Sequence, residues 1–206
     1  MPLKHFSDRH LVRLLATETR RTDTTSHELA RSHVALGRYL AGELLDYFEV
    51  EACEIQHPQG VRSGWQIANE SGLALIPFMR AGLYVADGVR EVLQRPPMLH
   101  VRPTRDVGLP AAELAALDAL AVTTTVLIDA VVNTGASLEP VLAQLAARQQ
   151  RVFVLALVCP VATADRLASS WPGVTFLFAR LSENQYVGKG STDTGNRLFG
   201  TSRTSG

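Results

Sequence analysis

Cysteine is scarce. The 206 residues hold two, Cys53 and Cys159, far apart and each set in an apolar stretch. That excludes a disulfide framework and the closely paired thiols of zinc and redox motifs; it suits a reducing cytosol and reads both as buried thiols. An excess of charge of either sign is also missing: 20 Lys and Arg balance 20 Asp and Glu. No global field then draws the chain to nucleic acid or an anionic membrane, and any anion site has to be local. The arginine-rich stretch RLLATETRRTDTTSHELAR carries enough acids to read as a solvated helix face. No run approaches the roughly 20 apolar residues of a membrane span, and the opening MPLKHFSDRHL is charged where a signal peptide would be apolar. The expectation is a soluble, cytoplasmic chain with neither a membrane nor a nucleic acid as partner. The histidines at 5, 10, 27, 33, 57 and 100 lack paired-ligand spacing, so no protein-built metal site is expected; His100, near a strand end, is the one worth testing. Aromatics make up only 6%, and Trp65 and Trp171 read as core or interface anchors.

What the sequence does contain is alternation. Apolar residues at helical spacing (Leu29, Val34, Leu36, Leu40, Leu44, Leu45) predict an amphipathic helix over 26–48, opened by a Thr-Thr-Ser cap. VEACEI and QIAN, joined by the turn-rich HPQGVRSGW, predict a protruding hairpin arm. From Gly72, short apolar runs (LALIPF, MLHV, TTTVLID, RVFVLALVCP, VTFLFAR) alternate with helical segments, the first ending at Pro96-Pro97. Continuous apolar strands between helices predict an α/β fold with a mostly parallel, doubly wound sheet covered on both faces. One domain spans 1–206: amino-terminal helices and arm to 71, sheet core over 72–201 with a flap at about 100–118, and a loose tail over 202–206.

In such sheets ligands gather at the carboxyl ends of strands. TTTVLID ends in Asp129, and the turn through Asn133, Thr134, Gly135, Ala136 and Ser137 leads straight into a helix. Amides of a tight turn opening a helix converge where the helix dipole is positive, so a phosphate monoester binds there without a cationic side chain. The preceding carboxylate suits vicinal sugar hydroxyls. A plain capped strand-turn-helix is the other reading of that turn alone. Two further segments favour binding: MRAGL places Arg80 on the neighbouring strand-to-helix turn, and the glycine-rich QYVGKGSTDTGNRLFGT reads as an ordered loop, too rich in glycine for a helix.

With these residues in view, the chain resembles the uracil phosphoribosyltransferase family from about His5 to Thr201. IPFMRAGL (76–83) matches IPxLRAGL, DAVVNTGAS (129–137) matches DPMLATGGS, and YVGKGSTDTGNRLFGT (186–201) matches YxxPGxGDAGDRxFGT. The resemblance implies a phosphoribosyltransferase fold and a donor, 5-phosphoribosyl 1-diphosphate, that passes its sugar phosphate to uracil. It implies that Asp129, Ala130, Val131, Val132, Asn133, Thr134, Gly135, Ala136 and Ser137 hold the 5-phosphate and ribose. Arg80 and Arg105, the latter on the flap, would meet the diphosphate, and Asp193 the sugar or its magnesium. Tyr186, Val187, Thr192, Asp193 and Thr194 would take the base. Arg105, Asp129 and Asp193 are thereby the catalytic candidates, Mg²⁺ arrives with the donor rather than at a dedicated protein site, and the assembly is a homodimer or higher homo-oligomer.

The chain also differs from that pattern. TRDVGLPAAELAALDAL is shorter than the family's flap and lacks its paired tyrosines, and Lys189, Thr192 and Asn196 replace Pro, Gly and Asp of the base loop. Ala136, where the family has a second glycine, requires ordinary backbone angles. These differences keep two alternatives open: a uracil-like heterocycle as acceptor in a specialised nucleoside pathway, or a non-catalytic module that senses the sugar diphosphate or a nucleotide.

Overall fold

The structure, a computed structural model, describes residues 2–104, 106–185 and 188–201. Five strands, β1 (Leu3–His5), β4 (Leu73–Pro77), β5 (Thr124–Val131), β6 (Arg151–Pro160) and β7 (Val174–Ser182), form a parallel sheet in the order β1-β7-β6-β5-β4. Between β1 and β4 lie α1 (His10–Arg20), α2 (Ser26–Leu45) and an antiparallel hairpin of β2 (Val50–His57) and β3 (Gly60–Ile67). Helices α3 (Gly82–Arg90) and α4 (Ala111–Ala119) precede β5, α5 (Glu139–Ala147) and α6 (Val161–Ser170) flank β6, and α7 (Thr194–Phe199) follows β7.

Both faces of the sheet are covered because the middle positions of β4 to β7 are continuous apolar runs. Val152, Val154, Phe176 and Phe178 point with Leu127 toward α4, α5 and α6. Their neighbours Phe153, Leu155 and Leu177 point with Val126 and Ile128 toward α1, α2 and α3. With period-two alternation and no polar face, burial on both sides is the only stable arrangement. Helices α2 and α3 cross at touching distance: a Cβ on Gly37 would lie 2.1 Å from Val85 O, and one on Gly88 2.0 Å from Val34 O. Thr25 and Glu28 form a reciprocal cap at the start of α2.

The expected strands and helices from Ser26 to Ser182 are present, with three differences. MLHV is not a strand: residues 97–101 run beside β4 through isolated bridges (Leu75–Met98, Phe78–Val101), because Pro77 of β4 has no amide to donate to Leu99 O and the ladder is interrupted there. The expected helix over 26–48 ends at Leu45. Part of the expected flap is helix α4, and Gln144 ties residues 107–109 to α5 by accepting from Leu109 N (2.8 Å) and donating to Val107 O (2.9 Å). Cys159 is buried, which pushes its thiol up to about 12, whereas Cys53 sits half-buried on the arm. Among the described residues no helix is long and apolar enough to cross a membrane.

Candidate active site

Pairing of β4 with β5 sets Pro77 beside Ile128, and Phe78 N donates to Ile128 O at 2.8 Å. The two strands therefore end side by side, and their turns open into one cleft of about 300 Å³. Arg80, Asp129, Ser137 and Asp193 line it, with Gly195, Pro103 and the backbone of 78–81. Three segments more than 40 residues apart in sequence thus converge on the carboxyl edge of the sheet. A larger groove of about 770 Å³ between α2 and α3 is lined by none of the predicted site residues, and the Arg38–Glu91 ion pair spans it.

Asp129 lies two residues before the end of β5, half-buried, with part of its surface open to the cleft. Its Oδ1 accepts from Ala130 N at 2.7 Å. Burial outweighs that contact and pushes its carboxyl up to about 7. The following turn is pinned from outside: Thr163 Oγ1 donates to Asn133 O (2.8 Å) and Arg166 Nη2 to Thr134 O (2.7 Å). Gly135 has φ +80°, and a Cβ there would come within 3.1 Å of Arg166 Nη2, so this one position needs glycine on both counts. Ala136 has no positive φ, which is why alanine fits in place of a second glycine. Its amide donates to Thr134 Oγ1 at 3.3 Å. The amides of Asn133, Thr134, Gly135 and Ser137 find no acceptor among the described residues, while Val132 N is committed to Val158 O.

Arg80 is held without being neutralised. Nη2 donates to Asn196 Oδ1 at 2.8 Å and Nη1 to Thr201 Oγ1 at 3.3 Å, and the guanidinium lies 5.5 Å from the Phe199 ring centroid. Phe199 in turn stacks on Tyr84 of α3 at 5.4 Å. These partners are all uncharged, and among the described residues Arg80 makes no ion pair. Its full charge faces the cleft, in a planar orientation suited to a diphosphate oxygen pair.

The segment expected to be too rich in glycine for a helix contains one. Asp193 accepts from Asn196 N (2.8 Å) as the N-cap of α7, and Gly200, at φ 60°, ends it. Thr192 does not point toward the cleft. Its hydroxyl accepts from Lys189 N and donates to Lys189 O, both at 3.0 Å, closing a 3-10 turn over Gly190–Thr192. Helix α7 is fastened to the amino-terminal helices: Arg197 donates to Thr19 O (2.9 Å) and Arg21 O (2.6 Å), and Ser26 Oγ to Arg197 O (2.6 Å).

Of the expected site residues, Arg80, Asp129, Ser137 and Asp193 meet in the cleft, Asn133 to Ala136 form the adjoining turn, and Thr194 opens α7. The side chains of Ala130 and Val132 are buried in the core. Arg105, Tyr186 and Val187 lie outside the described residues. Sequence reasoning missed the partners of Arg80 (Asn196, Phe199, Thr201, Tyr84) and the clamp of Thr163 and Arg166, since no local pattern marks contacts between segments so distant. Among the described residues no cluster of three His, Cys, Asp or Glu side chains could hold a metal; the carboxylates lining the cleft are Asp129 and Asp193.

This constellation coincides with a known family. Residues 6–201 match the family model described as uracil phosphoribosyltransferase. The chain belongs to the uracil phosphoribosyltransferase family. A uracil phosphoribosyltransferase of Synechococcus elongatus is 32% identical over 190 residues, covering 86% of this chain and 88% of that one. One from Ralstonia pickettii is 30% identical over 202 residues, with 93% and 92% covered. Among solved structures, AQ2163 of Aquifex aeolicus superposes with a TM-score of 0.76 at 18% identity, covering 98% of this chain and 99% of that one, and shares the fold. Family members of the phosphoribosyltransferase kind are pentosyltransferases, and this chain is an enzyme of that class.

Proposed function

We propose that the protein transfers the 5-phosphoribosyl group of 5-phospho-α-D-ribose 1-diphosphate to uracil, giving UMP and diphosphate in pyrimidine salvage in the cytoplasm. The observation that carries this reading is the convergence of an un-neutralised arginine, a half-buried carboxylate and an amide-rich turn on one cleft. The turn of Asn133 to Ser137 takes the 5-phosphate, and Asp129 takes the ribose hydroxyls. In the reaction the bond from the anomeric carbon to the diphosphate oxygen breaks with its electron pair leaving on diphosphate. The uracil ring nitrogen bonds to that carbon and its proton passes to solvent or diphosphate. Negative charge grows on the leaving group, where Arg80 faces it, joined by Arg105 in this reading. Backbone groups around Val187 and Thr192 to Thr194, with Tyr186 beside them, orient the base.

Magnesium fits the cleft as an ion carried by the donor. Two carboxylates with no third protein ligand match a cation that prefers phosphate oxygens and keeps few side-chain ligands. When bound it supplies charge neutralisation of the diphosphate, beside Asp193, whose Oδ1 caps α7.

The deciding measurement is diphosphate release with donor, magnesium and a panel of bases. Release with uracil supports the reading; donor binding without release for any base replaces it with a sensing role. The Thr192–Lys189 turn gives one specific reason to include uracil-like heterocycles in the panel.

The same proposal includes a homodimer joined through the arm. Across β2–β3, Val50 pairs with Ile67, Ala52 with Trp65 and Gln56 with Val61, so Val50, Ala52, Val61, Trp65 and Ile67 share one face with Glu54, Gln56 and Ser63. Trp65 is 73% exposed, Val50 59% and Val61 49%, an apolar strip on a two-stranded ribbon that packs on nothing of its own chain except at its base. A second copy of this chain is the occupant this reading assigns to it. Replacing Trp65 with serine is expected to shift the sedimentation species from dimer toward monomer, by about tenfold or more in the dissociation constant. An unchanged dimer would place the interface elsewhere.

A further inference from the structure

We propose that helix α6 sets the phosphate grip, with Thr163 and Arg166 as positioning residues that aim the amides of Thr134 and Gly135 into the cleft. This inference rests on the turn binding the 5-phosphate, as above. Its basis is peptide geometry. In a trans peptide unit the carbonyl and the amide hydrogen point in opposite directions, and the units joining Asn133 to Thr134 and Thr134 to Gly135 are trans. Thr163 Oγ1 pulls the Asn133 carbonyl toward α6 at 2.8 Å, so the Thr134 amide turns away from α6. Arg166 Nη2 does the same to the Thr134 carbonyl at 2.7 Å, turning out the Gly135 amide. Two successive amides without an acceptor among the described residues are thereby turned away from α6, in the turn that joins Asp129 to Ser137 of the cleft.

Thr163 is 4% exposed and lies one helical turn before Arg166, so both donors project from the same face of α6. Arg166 is not itself a cation for the phosphate. Its Nη1 is paired with Glu139 Oε1 at 2.8 Å, which neutralises the guanidinium and fixes its plane against the first turn of α5. Gly135 allows the approach, since any side chain there would meet Arg166 and Leu167. A rigid turn with its dipoles already aimed binds an anion without reorganising, which is where such hydrogen bonds gain their strength.

The test measures dissociation constants for ribose 5-phosphate and for magnesium diphosphate by calorimetry, with kcat and KM for the donor. Thr163→Val and Arg166→Met are each expected to weaken ribose 5-phosphate about tenfold, to raise KM more than they lower kcat, and to leave magnesium diphosphate within about twofold, because that group meets Arg80. Thr163→Ser and Arg166→Lys each retain a donor and are expected to recover most of the loss, which a merely structural role would not predict. The clamp is overturned if ribose 5-phosphate binds to the Val and Met variants as to the wild type, or if both ligands weaken in parallel. A wild type that binds no ribose 5-phosphate removes the clamp together with the reading of the turn, while wild-type binding with unaffected variants removes the clamp alone.

Discussion

Asp129→Asn is expected to lower kcat/KM by about 100-fold or more while making the ligand-free protein harder to melt at pH 8. The first effect follows from chemistry. A carboxylate accepts charge-assisted hydrogen bonds from two ribose hydroxyls, and removing the charge costs about 3 kcal/mol of binding, or roughly two powers of ten. The second follows from burial, which raises this carboxyl to about 7 in the fold against about 4 in an unfolded chain. A group whose folded value is raised contributes stability that is fully present below the unfolded value and is lost as pH rises through the folded one. Between about pH 4 and pH 7 the wild type therefore loses on the order of 2–4 kcal/mol that the neutral asparagine keeps. The gain should be full at pH 8, corresponding to roughly 5–15 °C in Tm, and should shrink steadily toward pH 5. Thermal melts across that range, run beside donor titrations, check both halves. Wild-type affinity for the donor in the variant would end the assignment of Asp129 to the ribose.

Arg80→Ala is expected to cost about 100- to 1,000-fold in kcat/KM for the donor, with little change in ribose 5-phosphate affinity. The charge is un-neutralised and held at the cleft by Asn196, Thr201 and the Phe199 ring, so its loss removes a fixed cation from the place proposed for the diphosphate. Arg80→Lys retains the charge without the planar fork and should recover only about tenfold. Asn196→Ala leaves the guanidinium charged but unguided, and a rise in diphosphate dissociation constant of about tenfold is expected there. Inhibition by diphosphate separates these cases from general damage. If Arg80→Ala and wild type are inhibited equally, Arg80 does not meet the diphosphate.

How much of this was legible in the sequence varies with how local the cause is. The strands from β4 to β7 are continuous apolar runs, and nothing but a two-faced sheet buries Phe153 and Phe176 on opposite sides. The turn after β5 was legible too, since a carboxylate, a glycine and hydroxyls stand between a strand and a helix. β1 was not, because Leu3–His5 is too short to show a period and owes its pairing to β7, Phe176 N donating to Pro2 O at 2.6 Å. Helix α7 was hidden by its glycines, although Asp193 and Gly200 are a start and a stop signal at the right spacing; Gly195 is tolerated inside it because it lies against Arg80 and Asp193. The hold on Arg80 and the clamp from α6 join residues 116 to 121 and 30 to 32 positions apart, beyond the reach of any local pattern.

The anchoring of α7 by Arg197 and Ser26 has a wider consequence. The carbonyls of Thr19, in the last turn of α1, and of Arg21, at the start of the link to α2, fix the helix whose Asn196 and Phe199 steady Arg80. The first two helices, of which no described residue lines the cleft, act as the far abutment of an arch that ends at Arg80. A change in the length of that link would pass through α7 to the hold on Arg80.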